Sequence, residues 1–210
     1  METTLTEAIV ASAELIGFKA PHGYQIFFWQ VYAGNTTLLL VHKIVFLSLG
    51  SNLGDRMANI TTALDRLKEI GEIDSVSSIY ETEPVEFAAQ PWFLNCVAKL
   101  KTEKMPKQLL AALLKIEQGM GRQRQQKKGP RTIDIDILLF GSSIIDSTGL
   151  TIPHPSMHER RFVLEPLAEI APEVRHPIFK RRVRELLEDL PAGQGVRRLK
   201  GSADAGHIPR

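Results

Sequence analysis

Cysteine is nearly absent from this chain. The single Cys96 in 210 residues excludes an internal disulfide, and its place in the apolar run 94–100 makes it a small buried hydrophobe. The lack of a disulfide framework agrees with a reducing, cytoplasmic setting. Excess charge is missing too. Lys and Arg number 26 against 24 Asp and Glu, a net charge of +2, so any grip on phosphate must come from local clustering and not from a bulk field over nucleic acid or membrane. No apolar run is long enough to span a bilayer: the stretch 38–49 is short and contains His42 and Lys43. Glu2 and Glu7 without a following apolar segment give no secretory signal. Internal repeats and low-complexity blocks are absent as well. The loop Gly50-Ser-Asn-Leu-Gly54 is not followed by Lys-Ser/Thr, which excludes a P-loop.

The patterns that are present describe one domain flanked by tails. Residues 1–43 look foreign to the rest and form an N-terminal extension, an appendage or an over-long reading of the gene. A short helix is expected there from Leu5, Ile9, Ala13 and Ile16. The domain itself is expected over 44–190, and beyond Pro191 a flexible basic tail over 191–210. Strands are predicted over 44–49, 73–80 and 92–101, with a short one near Ile144 and Ile145. A helix capped by Asp55 should pack Met57, Ile60, Leu64 and Leu67. Pro106 opens a second helix, with the stripe Leu109, Leu113, Ile116 and Met120. Two further helices follow around Val163, Leu167 and Ile170, and over 183–190.

The chemistry concentrates in residues 128–140. A strand there alternates Ile133, Ile135 and Ile137 with Asp134 and Asp136, so both carboxylates share one face of a sheet. Side by side, two anions repel and resist desolvation, and therefore call for cations. Oxygen-only donors suit Mg²⁺, which takes one or two carboxylates and completes its shell with water and phosphates. An isolated Asp-x-Asp is more often a solvated polar face, but a basic loop runs straight into this one: Arg122, Arg124, Lys127, Lys128 and Arg131, ending in Gly129-Pro130. Cations for phosphate oxygens beside anions for Mg²⁺ is what phosphoryl transfer requires. On the strand 92–101, Leu94, Cys96, Ala98 and Leu100 face the core. Phe93 and Asn95 share the other face and read equally as a stacking ring with a bidentate amide for a planar heterocycle, or as a surface aromatic beside a polar neighbour. Glu117 sits at the edge of its helix stripe, where an exposed glutamate is the common case. His154 is held between two prolines.

Taken in order, Phe46-Leu-Ser-Leu-Gly-Ser-Asn-Leu-Gly-Asp55, Tyr80-Glu-Thr-Glu-Pro84, Gln90-Pro, Phe93-Leu-Asn95, Gly129-Pro-Arg-Thr-Ile-Asp-Ile-Asp136 and Ile152-Pro-His154 resemble the motifs of the 6-hydroxymethyl-7,8-dihydropterin pyrophosphokinase family. The resemblance covers about residues 44–180. It implies an α+β, ferredoxin-like fold: a mostly antiparallel sheet with helices packed against it in three α/β/α layers. It also implies transfer of the diphosphate of ATP to the pterin hydroxymethyl oxygen, in folate biosynthesis, with release of AMP. By position it implies that Asp134 and Asp136 bind two Mg²⁺ ions, and that Phe93 and Phe162 sandwich the pterin. Asn95 and the loop Thr82, Glu83, Pro84 and Val85 would read its edge. Glu117, Arg122, Arg124, Arg131, Ile137, Thr151, His154 and Arg160 would line the ATP site, with Arg122 and Arg131 moving onto the phosphates as the catalytic cations. Small-molecule substrates are implied, with no nucleic acid, membrane or obligate protein partner. Lys128 stands where many relatives carry tryptophan, and Leu114 where some carry a polar ATP contact. Two rivals remain at this level: a nucleic-acid-binding module on the same scaffold, and a scaffold that has lost activity.

Overall fold

The computed structural model of the chain describes residues 14–19, 25–30, 41–84, 90–121, 129–191, 193 and 195–199, with the backbone alone over 14–30. Its centre is a repeated strand–helix–strand pattern. β3 (Val41–Ser51) leads to α1 (Arg56–Leu67), then to β4 (Glu72–Val76), β5 (Tyr80–Thr82) and β6 (Phe93–Thr102). α2 (Pro106–Gly119) returns the chain to β7 (Asp134–Phe140). The strands lie in the order β7–β3–β6, with β4 and β5 side by side along the far edge of β6, and every pairing is antiparallel. A hairpin of β8 (Ile145–Ser147) and β9 (Leu150–Ile152) follows, then α3 (Arg161–Ile170) and α4 (Val183–Glu188).

Alternation along the strands sorts the core into two layers. Val45, Leu47 and Leu49 of β3, Leu94, Cys96, Ala98 and Leu100 of β6, and Ile133, Ile135 and Ile137 meet Ile60, Ala63 and Leu67 of α1 and Leu109, Leu113 and Ile116 of α2. On the opposite face Phe46, Val97, Leu138 and Leu139 meet Val163, Leu164 and Leu167 of α3 and Val183 and Leu186 of α4. This is the α+β, ferredoxin-like, three-layer arrangement expected above. A register shift against β3 falls where Leu47 pairs with Ile137 and Phe46 with Leu139, leaving Leu138 as a bulge. The extra residue lets β7 turn both Leu138 and Leu139 toward α3 while Asp134 and Asp136 keep to that same face nearer the strand start.

Several local expectations are corrected. Ile16 lies in a strand, not a helix: β1 (Glu14–Lys19) pairs with β2 (Gln25–Gln30), which meets β3 at Val41 and His42. Leu5, Ile9 and Ala13 lie outside the described residues. The single strand expected over 73–80 is two, because Ser77 and Ser78 divert the chain: Ser77 Oγ accepts from the Val97 N–H at 2.9 Å, and Ser78 turns to Glu169. Met57 is 41 % exposed and not part of the packed stripe, although Asp55 caps α1 as expected by accepting from the Ala58 N–H at 3.0 Å. The stretch beyond Pro191 is not frayed throughout, since β10 (Val196–Arg198) pairs with β5.

Leu113→Ala removes a fully buried side chain between α2 and the sheet and should cost about 2–5 kcal/mol in urea unfolding. Met57→Ala on the exposed face should stay within about 0.5 kcal/mol. Equal losses for the two would contradict this assignment of the α1 stripe.

Candidate active site

α3 and α4 cover only part of their face of the sheet. Beyond Phe46 and Val97 the same face continues as Ser48 and Gly50 of β3, Phe93 and Asn95 of β6, and Asp134 and Asp136 of β7. This uncovered part is the floor of a cavity of about 330 Å³ lined also by Thr82, Glu83, Pro84, Gln90, Arg131, His154, Arg160 and Phe162. Its floor is polar because the strands change character along their length: apolar where a helix covers them, polar where none does.

One side of the cavity combines an aromatic ring with a buried amide. Asn95 is buried, and its Nδ2 donates to Thr82 Oγ1 at 2.7 Å. Its Oδ1 lies over Gly50, where a Cβ would stand 2.8 Å away, so any larger residue at 50 would displace the amide. Asn95 is therefore no surface residue, and Phe93 beside it is only partly exposed. The Arg131 guanidinium lies over the Phe93 ring at 5.8 Å, and that of Arg160 over Phe162 at 5.7 Å.

On the other side the cavity is electrostatic. Asp134 and Asp136 pair in register with Gly50 and Ser48 of β3 and share the open face. Burial pushes the Asp136 carboxyl up to about 7, the Asp134 charge adds to the rise, and Arg160 and Arg131 oppose it. Arg131 is ion-paired with Asp134, while its buried Nε has no hydrogen-bond partner among the described residues. His154 is held neutral, its pKa lowered to about 4 by burial and then by Arg160. Its N–H donates to the Leu138 carbonyl at the bulge at 2.9 Å, and its Nδ1 accepts from the Ser156 N–H at 3.2 Å. The ring proton therefore sits on Nε2, as a neutral donor. Two neighbouring carboxylates, with burial raising the Asp136 group and a half-satisfied guanidinium alongside, fit an oxygen-seeking divalent cation together with an anionic ligand.

One buried side chain ties the loops around this cavity. Asn52 Oδ1 accepts from the Arg131 N–H at 2.8 Å, and the Asn52 N–H donates to the Arg131 carbonyl at 3.2 Å. Its Nδ2 reaches Gln90 Oε1 at 3.1 Å and the Pro91 carbonyl at 3.3 Å. The loop after β3, the segment before β6 and the segment before β7 thus meet at one amide.

Of the residues singled out from sequence, the cavity gathers Thr82, Glu83, Pro84, Phe93, Asn95, Arg131, Asp134, Asp136, His154, Arg160 and Phe162. Three others lie off it. Glu117 is 2 % exposed, contrary to the exposed reading, and its Oε1 accepts from the Ile135 N–H at 2.7 Å. It thereby fixes the backbone between the two aspartates. Ile137 is buried in the layer under α1 and α2, and Thr151 is exposed on β9. Val85, Arg122 and Arg124, with Lys127 and Lys128, lie outside the described residues. Ser48 and Gly50 escaped the sequence reading, although their alternation with Leu47 and Leu49 places them on the open face; Gln90 carried a motif but no role.

Residues 46–172 match the family of 7,8-dihydro-6-hydroxymethylpterin-pyrophosphokinase (HPPK). The chain is 46% identical over 158 residues to the folic acid synthesis protein fol1 of Schizosaccharomyces pombe, covering 74% of this chain but only 21% of that much longer protein. It is 44% identical to the 2-amino-4-hydroxy-6-hydroxymethyldihydropteridine pyrophosphokinase of Pseudomonas aeruginosa, covering 75% of this chain and 98% of the relative. The enzyme of the same name from Aquifex aeolicus is 44% identical, over 67% of this chain and 88% of its own. Among solved structures, the wild-type HPPK-DHPS of Plasmodium falciparum with pterin and p-hydroxybenzoate shares the fold, with a TM-score of 0.56 at 19% identity over 70% of this chain and 43% of that one.

The Asp136 shift has a sign that metal-free protein will reveal. Its folded pKa lies above the ordinary carboxylate value, so the folded state keeps a proton that the unfolded state has lost. Its contribution to stability is full below about pH 4 and is lost as pH rises toward 7. His154 and His176, both lowered to about 4, act the opposite way over the same window. The measurement is therefore the difference between wild type and Asp136→Asn in EDTA. The variant should gain on wild type by about 2–4 kcal/mol between pH 4 and pH 8, and added Mg²⁺ should restore only the wild type. A pH-independent difference would contradict the desolvated carboxylate.

Proposed function

Because the chain belongs to the 7,8-dihydro-6-hydroxymethylpterin-pyrophosphokinase family, we propose that it transfers the diphosphate of ATP to the hydroxymethyl oxygen of 6-hydroxymethyl-7,8-dihydropterin, releasing AMP, as a step of folate biosynthesis. The observation that carries the reading is the adjacency, in one cavity, of the aspartate pair and the Phe93–Asn95 face. An acceptor stacked on the ring and a polyphosphate neutralised at the aspartates would meet at the β7–β3–β6 floor, where proximity does most of the catalytic work.

The residue roles in this proposal draw on the family resemblance and are supported by the surroundings where these are described. Phe93 and Phe162 flank the pterin, and Arg131 and Arg160 leave their rings as it enters. Asn95, braced by Thr82, reads the heterocycle edge with Glu83, Pro84 and Val85 at the rim. Asp134 and Asp136 would hold Mg²⁺, two ions in this proposal. When bound, the metal supplies charge neutralisation on the phosphates that the attack site would otherwise lack. Arg131 exchanges its Asp134 partner for phosphate oxygens, satisfying the orphaned Nε, and Arg122 and Arg124 add charge from the basic loop. His154, neutral with its proton on Nε2, donates a hydrogen bond without adding charge. Arg160 completes the ATP side within the cavity, Thr151 and Ile137 are assigned to ATP on the family resemblance alone, and Glu117 acts by holding the strand that carries both aspartates. No side chain needs to become a covalent nucleophile.

The catalytic domain is proposed over 44–190, joined by the strand at 196–198, with small molecules as its partners and the cytoplasm as its compartment. No helix among the described residues is long and apolar enough to cross a membrane.

Phosphorus NMR of the protein with Mg-ATP and 6-hydroxymethyl-7,8-dihydropterin should show AMP and a pterin diphosphate. ADP with a pterin monophosphate would mean that the wrong phosphorus is attacked, and binding of RNA without turnover would favour the nucleic-acid reading. Asp134→Asn should lower kcat by about a hundredfold or more with the unfolding midpoint retained. Unchanged turnover would remove the metal role.

A further inference from the structure

The pocket rim at Thr82 and Glu83 follows a strand of three residues. β5 pairs with β6 only through Tyr80↔Asn95, Glu81↔Leu94 and Thr82↔Phe93. A ladder that short, at a sheet edge, holds a backbone weakly. β10 converts it to an interior strand: Val196, Arg197 and Arg198 pair antiparallel with Thr82, Glu81 and Tyr80. The ladder extends at both ends, with the Glu83 N–H donating to the Gly195 carbonyl at 2.9 Å and the Leu199 N–H to the Ile79 carbonyl at 2.9 Å.

Side chains on both faces fasten the added strand. Arg197 Nε donates to Glu81 Oε2 at 2.9 Å, and its guanidinium lies over the Trp92 ring at 5.4 Å. Glu81 in turn takes Arg56 Nη1 at 3.1 Å, which links the strand to the start of α1. Arg198, pointing the other way, meets Glu169 of α3 at 3.1 Å. That same carboxylate accepts from Tyr80 Oη at 2.9 Å and from the Ser78 N–H at 3.0 Å. Leu199 packs against the α1/α2 layer.

We propose that β10 is a strap that positions the pterin-reading rim, acting through the backbone of Thr82 and Glu83 on the Thr82–Asn95 hydrogen bond. This rests on the diphosphotransferase reading above. β10 is a positioning element and touches no reacting atom. Among the described residues its hydrogen bonds, ion pairs and ring contact run to β5, Trp92 and α3, on the far side of β6 and β3 from β7, so its effect should be confined to the pterin side. The competing role is edge protection alone, in which the strand blocks unwanted pairing without influence on the site.

The test is the full-length double substitution Arg197→Asp, Arg198→Asp, which sets a carboxylate against Glu81 and another against Glu169, with Arg197→Lys, Arg198→Lys as the conservative control. Released β10 should speed amide exchange at Glu83 and Leu199 by about tenfold or more. It should raise KM for the pterin by about fivefold or more, the scale of one weakened hydrogen bond. KM for ATP should move less than about twofold, and the lysine control should stay near wild type in every readout. Exchange that remains slow in the aspartate variant would overturn the role of the two arginines as fasteners. Fast exchange with an unchanged pterin KM would overturn the strap and leave edge protection. A wild type that turns over no pterin would instead overturn the activity reading and the pterin-positioning role that rests on it, while the exchange arm still reports on whether the two arginines fasten β10.

Discussion

The repulsion between Asp134 and Asp136 is the constraint on which the rest depends. A strand sets the two carboxylates on one face, and burial then makes ionisation of Asp136 costly enough to carry its pKa up to about 7. No arrangement chosen for stability alone would keep two such groups together in a desolvated floor. Arg131 and Arg160 relieve part of the strain in the free protein, and each also rests on a phenylalanine ring. The same two cations thus serve as counter-ions and cover the two aromatic rings. The floor is left with carboxylates that only part of the positive charge around them offsets.

Its location follows from incomplete coverage. α3 and α4 seal the apolar end of their sheet face, and the polar end is left open because no helix reaches it. Around the opening, precision comes from single polar groups at backbone junctions. Glu117 takes the Ile135 N–H between the aspartates, and Asn52 joins three segments at one amide. The bulge at Leu138 presents its carbonyl to the N–H of His154. Each is buried or half-buried, where a satisfied hydrogen bond is stiff and an unsatisfied one costly. Gly50 belongs to the same set by omission, since the space a side chain would take is filled by the Asn95 amide.

The readable parts of the sequence were those governed by local periodicity. Alternation over 133–137 revealed the shared face of the aspartates, alternation over 93–100 separated Phe93 and Asn95 from the core, and Asp55 stood out as a cap from its position before an apolar helical stripe. The misreadings arose where a distant partner decided the outcome. Glu117 sits at a stripe edge like any exposed glutamate, and its burial is matched to the N–H of Ile135 on a strand that local sequence does not place against it. Met57 obeyed the helical period but fell outside the area the sheet covers. Val196, Arg197 and Arg198 have the composition of a tail, and became a strand because β5 offered an open edge with acidic groups on both sides.

Sequence alone therefore determined the alternation of elements, the α+β class, the family motifs and the shared face of the aspartate pair, because each depends on residues a few positions apart or on a matched motif. Tertiary structure decided which polar groups are buried, where α3 and α4 stop covering the sheet, how Asn52 joins its three segments, and that residues 196–198 complete the edge beside Thr82. Those outcomes depend on contacts between residues tens of positions apart, whose free energies exist only once the sheet has formed and set which edges and faces remain to be covered.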